Sequence, residues 1–210
     1  MLAVNTAFEQ ILDAYAMKLA GRSEGMCQIH PGGNPSEWSM QGVVEHLVLT
    51  YRGTIASLDK YMQRGSPTGR KADWKQLAAR LVVVDLQWFP RGNPAPEFVL
   101  PGRNGMAPMS GDELCAVLGE ALHLLDGQLV RCEQVFGTRA VAPHFRLGPL
   151  SAKQWRKFHM VHGRHHLAQL DRITSRLQTS AMESSSEKGE IPADHLRSSE
   201  DGEDAGHTKE

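Results

Sequence analysis

The chain has 210 residues, 40% of them hydrophobic, which suits one well-buried core with appendages. Its formal net charge of −1 is unevenly spread, because residues 179–210 hold about nine acids against three bases and leave the first 178 residues at about +5. That charge is too small and too scattered for a nucleic-acid surface, and no run approaches the eighteen or so apolar residues of a membrane span.

The opening stretch MLAVNTAFEQILDAYAMKLAGR sets Phe8, Ile11, Leu12, Tyr15 and Leu19 at steps of three and four. The spacing predicts a first helix over about residues 3–20. Glu9, Asp13 and Lys18 interrupt its apolar part, so it lacks the continuous core of a secretory signal. Gly21 and the loop HPGGNP stop this helix. Ser39 then reads as the cap of a long second helix, MQGVVEHLVLTYRGTIASLDKYMQ, with Val43, Leu47, Thr54, Leu58 and Tyr61 in one stripe. His46 lies beside that stripe.

Residues 72–89 suit a helix, although LVVVDLQWF also suits a short strand, and periodicity does not separate the two. The run PRGNPAPEFVLPGRNGMAP, residues 90–108, is too rich in Pro and Gly for a helix and reads as an ordered connection laid over the helices. Ser110 caps a third long helix with Leu114, Leu118, Ala121, Leu125, Cys132 and Phe136 on its core side. Cys115 and Cys132 on that helix stand about 25 Å apart and cannot pair, so the three cysteines point to a reduced, cytoplasmic protein. Ser151 caps a fourth helix, along which Trp155, Phe158, His162, His166, Gln169, Ile173 and Leu177 follow in steps of three and four.

From Thr179 on the chain is polar and acidic with few bulky apolar groups, the composition of a disordered tail. The domain division is therefore 1–178 and 179–210. Four long helices without convincing β alternation make an all-α bundle, and the long irregular link between the second and third implies a crossover.

The stretch HMVHGRHHLAQL concentrates four histidines on the last helix. His162 and His166, four apart, differ by about 40° around the axis and about 6 Å along it, so both imidazoles can reach one point. Neutral imidazole binds divalent transition metals at about 2.0–2.1 Å. An isolated pair of this kind is more often a hydrogen-bonded core feature; a third ligand changes that balance, and His46 is the best candidate. Three imidazoles without a fourth protein ligand leave positions open, the pattern of a catalytic site.

His159 and His165 flank the core line and read as surface or supporting groups, His165 also as a competing ligand. His30, His123 and His144 are singletons, and His195 and His207 belong to the tail; none is assigned chemistry. Gly163 stands where a zinc-protease helix carries glutamate, HPGGNP lacks the Lys-Ser or Lys-Thr of a phosphate loop, and no base accompanies Cys27. The tryptophans at 38, 74, 88 and 155 read as core and loop anchors.

WSMQGVVEHL at 38–47 and GPLSAKQWRKFHMVHGRHHLAQLDRI at 148–173, joined by PRGNPAPEFVLP, resemble the DinB/YfiT-like superfamily, in particular its branch of uncharacterised bacterial proteins. The likeness covers roughly residues 36–175. It implies a four-helix bundle of up-down-down-up order, a homodimer, and nickel, zinc or iron held by His46, His162 and His166. Gln169 matches the glutamine that follows the family's His-x-x-x-His, where it orients a ligand or packs.

Characterised members that the chain is similar to are thiol-dependent transferases and isomerases using low-molecular-weight thiols such as glutathione, bacillithiol or mycothiol. Others are metal-dependent hydrolases, or iron enzymes with a second domain that has no counterpart here. The family branch has a His-Pro-Phe-Phe-Gly run before GPLS, whereas this chain has PHFRLGPLS with Pro143 and His144 in reversed order.

The expectation is thus a metalloenzyme acting on a small molecule, activating a thiol or water for transfer or hydrolysis. The alternative is a non-catalytic metal-binding or stress-response protein. Three imidazoles suit Zn, Ni, Cu and Fe alike, so the pattern does not choose the ion.

Overall fold

The computed structural model describes residues 6–90, 92, 94–102 and 105–187. It is 68% helix, with six helices and one small two-stranded sheet among the described residues. The helices are α1 (Thr6–Leu19), α2 (Glu24–Gln28), α3 (Met40–Gln63), α4 (Trp74–Arg80), α5 (Gly111–Phe136) and α6 (Ala152–Glu187). The α3 helix packs on α5 and α6, α1 packs on the same two, and α5 also touches α6.

Local sequence explains where the long helices begin. The Ser39 hydroxyl accepts from the Gly42 amide at 3.1 Å. Ser110 and Glu113 form a reciprocal capping box. Ser151 and Gln154 exchange hydrogen bonds of 3.3 and 3.1 Å across the start of α6. Most expected core positions are buried, including Phe8, Ile11, Tyr15 and Leu19 on α1, whereas Leu12, Tyr61, Gln169 and Leu177 are half-buried.

The N-terminal half of α3 is not amphipathic in effect: every residue from Met40 to Val48 is buried. Its outer side is covered by the irregular connection. Gln41 donates to the Ala107 carbonyl at 3.0 Å and accepts from the Met109 amide at 2.9 Å. Glu45 accepts from the Gly102 amide at 2.9 Å, and a Cβ at Gly42 would stand 3.5 Å from Pro101. The segment read as an ordered cover is one in its described part.

Four features depart from the sequence reading. The strand alternative at LVVVDLQWF is not taken: α4 runs into a π-helical turn, Leu81–Asp85, and the Leu86 amide donates to Leu81 at 2.9 Å. Trp74 and Trp88 are not anchors in a core, being 72% and 61% exposed. Short α2 lies between Gly21 and HPGGNP, where the sequence reading sets no element. Two three-residue strands, β1 (Ala142–His144) and β2 (Gly148–Leu150), pair antiparallel with Ala142 opposite Leu150. With Pro143 facing Pro149, they are too short for alternation to be visible.

The α6 backbone continues past the 178 boundary to Glu187. The rest of the expected acidic tail, residues 188–210, lies outside the described residues, as do residues 1–5. The three cysteines are free. No helix among the described residues is long and apolar enough to cross a membrane.

Candidate metal centre

His46 from α3 and His162 and His166 from α6 come together in the interior, each no more than 6% exposed. The Nε2 of His162 lies 3.2 Å from that of His46 and 3.1 Å from that of His166. Metal–nitrogen bonds of about 2.0–2.1 Å in tetrahedral array set neighbouring donors about 3.3 Å apart, so the spacing suits one ion.

The far nitrogens strengthen the fit. His46 Nδ1 is 2.8 Å from the Val99 carbonyl, and a carbonyl only accepts, so the proton is on Nδ1 and the Nε2 lone pair faces inward. His166 Nδ1 donates in the same way to Gln169 Oε1 at 2.8 Å. Two of the three tautomers are fixed in the form a metal requires. His162 Nδ1 is buried without a hydrogen-bond partner.

Burial holds these rings neutral. It pulls His46 below its ordinary value against the opposing Val99 hydrogen bond, and pulls His162 well below, with His166 and His46 adding to the effect. Burial lowers His166 to about 3. Neutral imidazole is the form that donates a lone pair.

The sequence places the rings through ordinary helix features. His46 is pinned because its carbonyl accepts from Thr50 Oγ1 at 2.8 Å while its ring is tied to the connection. Gly163, between His162 and His166, lets α1 approach: its carbonyl accepts from the Tyr15 hydroxyl at 2.8 Å, and a Cβ there would already stand 3.4 Å from Ile11. A larger side chain at 163 would meet Ile11, which gives the missing glutamate a packing reason.

Aromatic rings enclose the cluster. Trp38 lies over His46 and His166 at centroid distances of 4.9 and 5.9 Å, and Phe158 stacks on His162 at 5.3 Å. Phe89 approaches His162 at 5.3 Å and His165 at 4.8 Å. The three histidines line a cavity of about 1290 Å³, large enough for a small organic molecule.

The remaining histidines separate. His165 is half-buried and lines the cavity but is not one of the three converging histidines. His159, read as a flanking surface or supporting group, is 1% exposed. Its Nε2 lies 3.1 Å from Thr54 Oγ1, its ring stacks on Trp155, and burial lowers it to about 3. A histidine one turn before a candidate ligand on the same helix shares its inward side, so of the two expected roles the supporting one fits His159 and the surface one does not.

His144, assigned no chemistry from sequence, also lines the cavity. Its Nδ1 accepts from the Arg146 and Leu147 amides at 3.1 and 3.2 Å, and burial, then Arg146, lowers it to about 4. The available signal was the PHF run before GPLS, which brings a histidine here despite its reversed order.

A family model described as "Protein of unknown function (DUF1569)" matches residues 121–173. The matched stretch includes His162 and His166 but not His46. No curated protein and no solved structure matches the chain.

Proposed function

We propose that the chain is a DinB-like metalloenzyme in which His46, His162 and His166 hold one divalent transition metal, zinc, nickel or iron, for thiol transfer to or hydrolysis of a small molecule. The observation that carries this reading is the convergence of three buried Nε2 atoms, two in tautomers fixed from behind, on the wall of a large cavity.

The pairings between helices support the finer architecture, a four-helix bundle of up-down-down-up order formed by α1, α3, α5 and α6. Tyr15 meets Gly163 and Lys18 meets Asp171, so α1 and α6 run the same way. Gln41 meets Met109 and Asp59 meets Gln128, so α3 and α5 run together. His46 meets His162 while Thr54 meets His159, so α3 opposes α6. The homodimer carried by the resemblance belongs to the same proposal.

When bound, the metal supplies Lewis acidity, which lowers the pKa of a thiol or water sharing its open positions. The chain's own residues do the rest. Val99 and Gln169 orient two ligand rings, and the aromatic rings of Trp38, Phe89 and Phe158 keep water from the cluster's flanks. His144 and His165 are further imidazoles on the cavity wall.

The test is an assay of the metal-loaded protein with low-molecular-weight thiols against electrophilic acceptors, and with ester or amide substrates. Turnover that disappears in His162→Ala and after chelation supports the enzyme. Stoichiometric metal that resists exchange, with no turnover on any substrate, supports the non-catalytic binding protein instead.

A further inference from the structure

The cavity changes character along α6. Trp155 and Phe158 line it first, then His162, His165 and His166, then Gln169, Arg172 and Arg176. At 1.5 Å per residue, Phe158 precedes His162 by about 6 Å along the axis, and Arg172 follows His166 by about 9 Å. One helix thus presents an apolar end, a histidine centre and a cationic end to a single space.

The two arginines differ. Arg176 is paired with Glu37, another wall residue. Arg172 is exposed at the wall and has no hydrogen bond or ion pair among the described residues. Asp171 beside it is taken by Lys18 at 2.6 Å. Three residues before it, Gln169 uses its oxygen on His166 and leaves its amide N–H groups without a protein partner among the described residues. One unpaired positive charge next to an amide donor matches one carboxylate, which arginine grips through two parallel N–H donors.

We propose that Arg172 is a specificity-determining anchor for a carboxylate, and that the cavity takes an organic monocarboxylic acid with an apolar body. The carboxylate sits at Arg172, the chain passes His166 and His165, and the body lies against Phe89, whose ring is 4.8 Å from that of His165. This rests on the reading of the cavity as a small-molecule site and adds the class of molecule to it.

The probe is phenylvalerate, with its neutral primary amide as the isosteric control. Binding is measured calorimetrically on the full-length protein, with its metal and after chelation, for the native chain, Arg172→Gln and Arg172→Lys. The acid is expected to bind at least about tenfold more tightly than the amide. Arg172→Gln brings the acid to the level of the amide while amide binding stays constant, and Arg172→Lys keeps part of the difference.

Equal binding of acid and amide by the native chain, or no measurable binding of the acid, overturns the proposal. So does a preference that survives in Arg172→Gln but vanishes on chelation, since the carboxylate then goes to the metal; that result leaves the metal site standing. A preference that depends on Arg172 in protein that never carries metal supports the anchor and removes the metal reading.

Discussion

Two hydrogen bonds on the outer side of the imidazoles decide which nitrogen each ring offers to the interior. Val99 contributes a backbone carbonyl, which no substitution at that residue removes, whereas Gln169 contributes a side chain and is open to mutation. Partners of this kind typically account for 10–100-fold in metal affinity. Gln169→Leu is therefore expected to fold normally and to bind zinc about 10–100-fold more weakly, read by competition with a chromogenic chelator. Unchanged affinity would make Gln169 a packing residue only. At this scale the sequence was informative about the histidine cluster, because helical spacing puts His162 and His166 together and the position of His46 beside an apolar stripe brings it opposite. It was uninformative about Trp38 and Phe89, because ring contacts across loops depend on tertiary approach and leave no periodic trace.

Elements meet through small residues at fixed places. Gly111 opens α5 against the end of α1: its amide donates to the Arg22 carbonyl at 2.9 Å, and a Cβ would fall 1.7 Å from the Leu19 carbonyl oxygen. That oxygen belongs to backbone and cannot rotate aside. Gly111→Ala is expected to lower stability by about 1–3 kcal/mol or more, as overpacking does, measured by urea unfolding. A midpoint equal to the native one would mean that the junction is free to move. The caps that start α3, α5 and α6 were legible because serine at the boundary satisfies otherwise unpaired amides. The β1–β2 pair was not, since three residues carry no measurable period and proline argues against a strand. The covered face of α3 was legible only indirectly: nine buried positions in a row, Met40 to Val48, need the connection that runs over them.

At the scale of the whole molecule, several buried imidazoles are charged in the unfolded chain at a pH where the folded chain keeps them neutral. A free imidazole titrates near about 6.5. Burial brings His159 and His166 to about 3 and His144 to about 4. Between these limits the unfolded state binds more protons, so stability is greatest above about 6.5 and falls as pH descends through the window. The metal-free protein is expected to show a Tm that drops steadily from about pH 7 to about pH 5, followed by circular dichroism. A Tm that is flat or rises on acidification would contradict the burial of these rings. Ligand binding to the native state alone raises stability, so adding zinc at about pH 7 should raise Tm in the native chain and not in His46→Ala.

The three-histidine site joins these scales, because it needs ring tautomers, helix register and the α3–α6 pairing at once. Elemental analysis of the purified, tag-free chain beside His46→Ala, His162→Ala and His166→Ala tests it most directly. About one transition-metal ion per native chain, lost in each of the three folded variants, is the predicted result. The same metal content in all four proteins would contradict it.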